Sequence, residues 1–293
     1  MESEESLSLR LAISLSQRVD QSTVALLISQ TGNIRVQDRR LGGAVLRDQI
    51  TTHIENMESL LRHSVTYRWR SKLAAVLADT ATLAAWQSLD LGLFNTAWRM
   101  FESAKAASLE AGSSVHYAHA MTEQAYVLMD LGMTGDAVEC VAQALDQFSA
   151  KVPARLRAWM HGVQAEVCAA HGAEREALAA LERADLLLPS GAGDPDLPFL
   201  SLDSSHLARW RGHCMARLGV ASAVEEAASA LEAMDRSFTR AEAGLRCDYA
   251  IALAHAGERE EASRQLAQAR HLAMVTSSER QLRRVEAASA LVA

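Results

Sequence analysis

Five glycines, Gly92, Gly132, Gly172, Gly219 and Gly257, recur along the 293-residue chain at intervals of 40, 40, 47 and 38 residues. A period of that length points to stacked repeats. Aligned on these glycines, the neighbouring residues fall into register. Seven before each sits a small residue: Ala85, Ala125, Ala165, Gly212, Ala250. Five after come Ala97, Ala137, Ala177, Val224 and Ala262, and twelve after come Ala104, Ala144, Ala184, Leu231 and Ala269. Between them, at plus nine, lie Phe101, Val141, Leu181, Ala228 and Leu266, while Ser88, Leu128, Cys168, Met215 and Leu253 stand four before. The pattern predicts a helix closed by a left-handed glycine. A second, antiparallel helix follows, with its plus-five, plus-nine and plus-twelve residues on one face. Small residues on both helices let the axes approach closely.

Composition agrees with helix throughout. Aromatics make up 5% and there are four prolines, so strand-favouring residues are scarce and helix formers dominate. More than 65% helix and no sheet are expected. With 49% hydrophobic residues the chain has ample material for a core. The formal net charge of −7 argues against a phosphate backbone as the main ligand, because such domains carry a basic face. None of Cys140, Cys168, Cys214 and Cys247 lies within three residues of another, which excludes a CxxC zinc or redox motif and fits free thiols in a reducing compartment. No apolar run is long enough to span a bilayer, and the opening MESEESLSLR is unlike a secretory signal. A cytoplasmic protein without membrane contact is expected.

Repeat three shows the unit in full: AWMHGVQAEVCAAHGAEREALAALERADLLLP, ending at Pro189. Small residue, Gly, Ala, Ala and terminal Pro at these offsets resemble the tetratricopeptide repeat (TPR). The resemblance covers about residues 78–275, although the units run longer than the family's ~34 residues. It implies a right-handed α-solenoid of about five helix pairs. The expected organisation is an N-terminal helical cap over residues 1–77, five repeats over 78–275 and a C-terminal capping helix over 276–293. In the first cap, Leu7, Leu11, Leu15, Val24, Leu27 and Ile28 give a helical pattern, with a break at the TGN of residues 31–33. Leu41, Val45, Ile50, Ile54, Met57, Leu60 and Leu61 then share one side of a stretch over 34–67, which Gly42–Gly43 can interrupt. Residues 279–292 (ERQLRRVEAASALV) cap the far end. The segment 189–205 (PSGAGDPDLPFLSLDSS) holds three of the four prolines and accounts for the 47-residue interval. It is either a plain surface loop or a lid over a binding groove.

Longer stretches carry a wider resemblance. DRRLG at 38–42, LAAWQSLDLG at 83–92, AWRMFESAKAASLEAG at 97–112, EQAYVLMDLG at 123–132 and DLPFLSLDSSHLARWRGHCMARLG at 196–219 resemble the C-terminal sensor region of actinomycete helix-turn-helix regulators. FTRAEAGLRCDYA at 238–250 does so as well. In that family a DNA-binding domain precedes a TPR region that receives a signal. Residues 1–31 are too short for such a domain, so the resemblance implies a sensor module without direct nucleic acid binding.

In TPR folds the first helix of each pair lines the concave face. Counting back thirteen, six and two from each glycine gives Asp79, Trp86 and Asp90, then His119, Tyr126 and Asp130, then Trp159, Glu166 and Ala170. Units four and five give His206, His213 and Arg217, then Gly244, Ile251 and His255; Arg209 joins at minus ten. Aromatics mixed with charges suit a ligand groove, in which rings anchor and charges orient. Trp86, Tyr126 and Trp159 read equally as core packing, and Asp90 and Asp130 as solvated last-turn residues. Arg209 and Arg217 suit a carboxylate or phosphate.

The chain has no GxxxxGK[ST], GxGxxG, HExxH or GxSxG. No cofactor, metal or catalytic residue is expected, although His206 and His213 with Asp203 form a weak metal arrangement. The expected function is a ligand- or peptide-sensing module in transcriptional or secondary-metabolism regulation. Its partner is a peptide or protein, with a small-molecule signal and homodimerisation as further options. A protein–protein adaptor is the alternative, and an enzyme on this scaffold a remote one.

Overall fold

The computed structural model describes residues 3–63, 67–191, 193–220 and 222–292. Among them 83% are helical and no strand occurs. Fourteen α-helices follow in order: α1 Glu4–Gln17, α2 Gln21–Leu41, α3 Arg47–Arg62, α4 Tyr67–Asp90, α5 Phe94–Ala111, α6 Ser114–Asp130 and α7 Thr134–Phe148. Then come α8 Ala154–His171, α9 Glu174–Leu187, α10 Ser204–Leu218, α11 Ala223–Glu232, α12 Thr239–His255, α13 Arg259–Val275 and α14 Glu279–Val292. Five antiparallel pairs, α4/α5 to α12/α13, stack side by side. The sequence boundary at residue 77 falls inside α4.

The glycines act as the spacing predicts. All five have positive φ, from 69° to 84°. In each, the glycine N–H donates to the carbonyl three back, and the next N–H donates to the carbonyl four before the glycine, as in Gly132 to Met129 and Met133 to Leu128. These two hydrogen bonds satisfy the last carbonyls of the helix. At Gly132, Gly172, Gly219 and Gly257 an added Cβ would meet nothing, so the positive φ alone demands glycine there.

The pair interfaces follow the same register. Ala85, Ala125, Ala165 and Ala250 are fully buried, as are Ala97, Ala137, Ala177 and Ala262 and, further on, Ala104, Ala144, Ala184 and Ala269. Unit four departs. Ala223, Ala227 and Ala230 are the buried alanines, one residue ahead of Val224, Ala228 and Leu231. Gly212 packs against the Ala227 backbone, with its missing Cβ 3.5 Å from Ala227 N. α11 begins four residues after Gly219, whereas the other second helices begin two after their glycines, and Leu231 is buried beside Ala230.

In the N-terminal region the TGN break is absent. α2 runs through it because Thr31 is buried, its hydroxyl donating to Leu27 O (3.1 Å) and meeting Thr80 Oγ1 (2.7 Å) and His53 Nε2 (3.0 Å). The interruption lies at Gly42, whose φ of 81° ends the helix. α3 buries Ile50, Ile54, Met57 and Leu61, an i, i+4, i+7, i+11 stripe against α4.

The superhelix closes on itself. α2 contacts α12 and α14 contacts α4, so about one turn of solenoid brings its start against its end. At this seam a Cβ on Gly42 would lie 2.0 Å from Thr276 O, and one on Gly92 would lie 3.2 Å from Glu279 Cγ.

Candidate functional site

The ring encloses a cavity of about 350 Å³. The first helices of the pairs line it, α2 and α14 narrow it, and the segment between α9 and α10 reaches into it. This segment is not a plain surface loop. Leu197, Leu200 and Leu202 are buried in the core shared with α4, α6 and α8. Phe199 lies 4.4 Å from the His119 ring. Arg155 holds the segment from α8, donating to Gly191 O (3.0 Å) and to Leu202 O.

Of the stripe read from the sequence, Asp79, Trp86, Asp90, His119, Tyr126, Trp159, Glu166, His206, Arg209 and His213 line the cavity, as does Gly244. Asp130, Ala170, Arg217, Ile251 and His255 do not, and Arg217 is exposed. The minus-two residues share a helix face with the minus-six ones but lie about 6 Å further along the axis. All but Asp90 lie beyond the end of the cavity.

The lining charges are largely paired within the protein. Arg35 donates to Asp79 (2.6 Å). Asp90, far from being solvated, is 2% exposed and accepts from Ser278 Oγ (2.5 Å) and from Arg240 Nη1 (3.1 Å), whose other nitrogen reaches Asp38. Asp130 accepts from Arg280 Nε (2.8 Å). Arg280 also sits 5.5 Å from the Trp86 centroid and 5.2 Å from that of Tyr126. Thus α2, α12 and α14 supply the cations that neutralise Asp79, Asp90 and Asp130 of the first units.

Glu166 is the hub of the far wall. It accepts from Tyr126 Oη (2.8 Å) and Trp210 Nε1 (2.9 Å), with His213 Nε2 at 3.3 Å. Burial opposes its charge, but His213 and Arg280, with Tyr126, outweigh it and hold its pKa well below the usual carboxylate range. Tyr126 is pushed up by burial and by Glu166, and stays a donor. His213 Nδ1 lies 2.8 Å from Asp248, which also accepts from Arg284 (2.6 Å). Burial works against protonation of His213, yet Asp248 and Glu166 raise its pKa. His206 instead pairs with Asp203 (2.7 Å), so the two histidines do not share a ligand set with that aspartate.

The aromatic residues pack in the core and also line the cavity. Tyr126 and Trp159 belong to the main core, and their edges face the cavity beside Trp86, 5.5 Å from Tyr126, and Trp210, 6.4 Å from Trp159. Sequence reasoning missed Arg35, Arg39, Arg240, Arg280 and Arg284 as lining residues. They come from α2, α12 and α14, and only the closing of the ring brings them in. The repeat offsets did carry a signal for Trp210, one residue from Arg209, but its ring enters where Gly162 lacks a side chain: a Cβ there would lie 2.4 Å from it.

The Rap protein in complex with competence and sporulation factor superposes with a TM-score of 0.56 at 15% identity, over 91% of this chain and 80% of that one. The fold is that of the TPR solenoids. A TPR protein of Thermus thermophilus matches at TM-score 0.49 and 20% identity, over 73% of this chain and 99% of that one. The TPR domain of P58(IPK) matches at 0.30 and 14%, over 88% and 79%. No family model and no curated protein matches the sequence. Among the described residues no helix is long and apolar enough to cross a membrane.

Proposed function

We propose that this TPR solenoid is a ligand-sensing module that takes a short peptide or small molecule inside its ring and serves a regulatory role. The observation that carries the reading is the cavity inside the ring, walled by aromatic side chains and buried charges. Its 350 Å³ falls in the range of sites for drug-sized ligands. α2, α14 and residues 199–202 contribute to its walls, and the Rap neighbour was itself crystallised with a bound factor. Because α14 both lines the cavity and closes the ring, an occupant touching Arg280 or Arg284 would change how firmly the C-terminal helix is held, which is a route from binding to response. Direct DNA binding forms no part of this reading.

The adaptor reading keeps one supporting observation. Leu7, Leu11 and Leu15 on one face of α1 are 62%, 62% and 47% exposed, an apolar strip apart from the cavity. Native mass spectrometry of the protein purified from its own host separates the two. A bound small mass that is lost in Trp159→Ala supports the sensor. A protein partner that is lost on changing Leu7 and Leu11, with the cavity always empty, refutes it.

A further inference from the structure

The charges around the cavity are not evenly balanced. Arg35, Arg240, Arg280 and Arg284 each meet a carboxylate. Among the described residues Arg39 and Arg209 line the same cavity without a carboxylate at ion-pair distance. Arg39 donates to the neutral Ser201 Oγ (2.8 Å) and lies 5.1 Å over the Phe238 ring. His206 meets the same ring edge-on at 5.7 Å. The carboxylate of Asp203 accepts from His206 Nδ1, which fixes the tautomer and leaves Nε2 as the free nitrogen. That Nε2 is buried with no partner. Nε2 is therefore an acceptor, and since buried polar atoms are ordinarily satisfied it suits a ligand N–H or O–H and not an anion.

We propose that Arg39 and Arg209 form an anion-binding end of the cavity, and that the ligand places a carboxylate there. This rests on the reading of the cavity as a ligand site. Two guanidiniums stand here with no carboxylate at ion-pair distance, Asp203 being engaged by His206 and Asp38 by Arg240, so this end is electropositive while the rest of the wall is paired. Burial depresses the Arg209 and Arg39 pKa values, and Arg35 and Arg240 depress that of Arg39 further. Burial lowers His206 too, with Arg209 and Arg39 adding to it against Asp203. A bound anion would relieve each of these. The guanidinium fork suits a planar carboxylate. The aromatic edges of Trp159 and Trp210 lie along the same wall, so the ligand joins an apolar body to an acidic end. Two sources fit: the C-terminus of a short peptide and a small aromatic acid.

The test uses the full-length chain with four probes: a library of N-acetylated tetrapeptides as free acids, the same library as C-terminal amides, 3-phenylpropionate, and its amide. Retention is read by native mass spectrometry and affinity by calorimetry. The proposal expects acids to be retained at least ~10-fold more tightly than their amides, and Arg209→Met to weaken the acids by about 10- to 100-fold without moving the amides. Retention of the peptide acids alone names a peptide, and of phenylpropionate a small acid; either supports the subsite. Acids and amides bound alike overturn the anion site and leave the cavity reading standing. No retention of any probe at millimolar concentration overturns both. If Arg209→Met does not fold, the acid–amide contrast on the unaltered chain decides alone.

Discussion

Replacing Arg280 tests whether the ring is held shut by its buried charges. The side chain is 8% exposed. It donates to Asp130 at 2.8 Å, lies 4.0 Å from Glu166 and faces the rings of Trp86 and Tyr126. Arg280→Met keeps most of the stem and removes the charge. Glu166 would retain Tyr126, Trp210 and His213, so the loss concentrates on Asp130, which is 13% exposed. Stranding one partner of such a pair costs about 3–5 kcal/mol, and the partial exposure of Asp130 puts the expected value at the lower end. The double variant Arg280→Met/Asp130→Asn removes the stranded charge and should recover most of that loss, since replacing both partners of a buried pair is often nearly neutral. Urea denaturation followed by far-UV circular dichroism measures both. A loss below about 1 kcal/mol for Arg280→Met, or a double variant no more stable than the single one, would refute the closure argument.

Other expectations follow from the packing and the buried charges. Ala137→Leu and Ala177→Leu should each destabilise the protein by about 1–3 kcal/mol, since both alanines are fully buried between paired helices; neutral denaturation midpoints at both sites would count against the helix-pair register. Gly42→Ala should lower the melting temperature, because its Cβ would lie 2.0 Å from Thr276 O at a φ of 81°, whereas Gly32→Ala, with nothing within 4 Å, should not. The pH dependence has a defined sign. His213 is raised above its ordinary value near 6.5, so its contribution is complete below pH 6.5 and is lost as pH rises through the folded value. Glu166 and Asp248 are depressed, so theirs is present above the ordinary carboxylate range and lost on acidification. Thermal melts should therefore show greatest stability between about pH 5 and 6.5, and His213→Gln should flatten the alkaline side; an unchanged alkaline slope in that variant would show that His213 does not titrate as argued.

The repeat glycines and alanines were sufficient to read the helix pairs, because their requirements are local. A left-handed closing residue and a close helix–helix contact are each encoded within one unit, and Gly132 or Ala137 would serve the same purpose in any neighbouring context. The minus-thirteen and minus-six positions were legible as a concave face for the same reason of helical periodicity. In unit four the buried alanines Ala223 and Ala227 stand one position off the repeat register, because α11 begins four residues after Gly219 instead of two, an offset the repeat does not record. The break expected at residues 31–33 failed because Thr31 hydrogen bonds to His53 and Thr80, partners 22 and 49 residues away. The pairing of the charged groove belongs to tertiary structure alone. Asp90 meets Ser278 and Arg240, and Asp130 meets Arg280, across 150 residues or more of chain. Small rotations from pair to pair accumulate until α2 meets α12 and α14 meets α4. No single repeat records that sum, so the closed ring, its seam at Gly42 and the unpaired Arg39 and Arg209 emerge only when all the pairs are stacked.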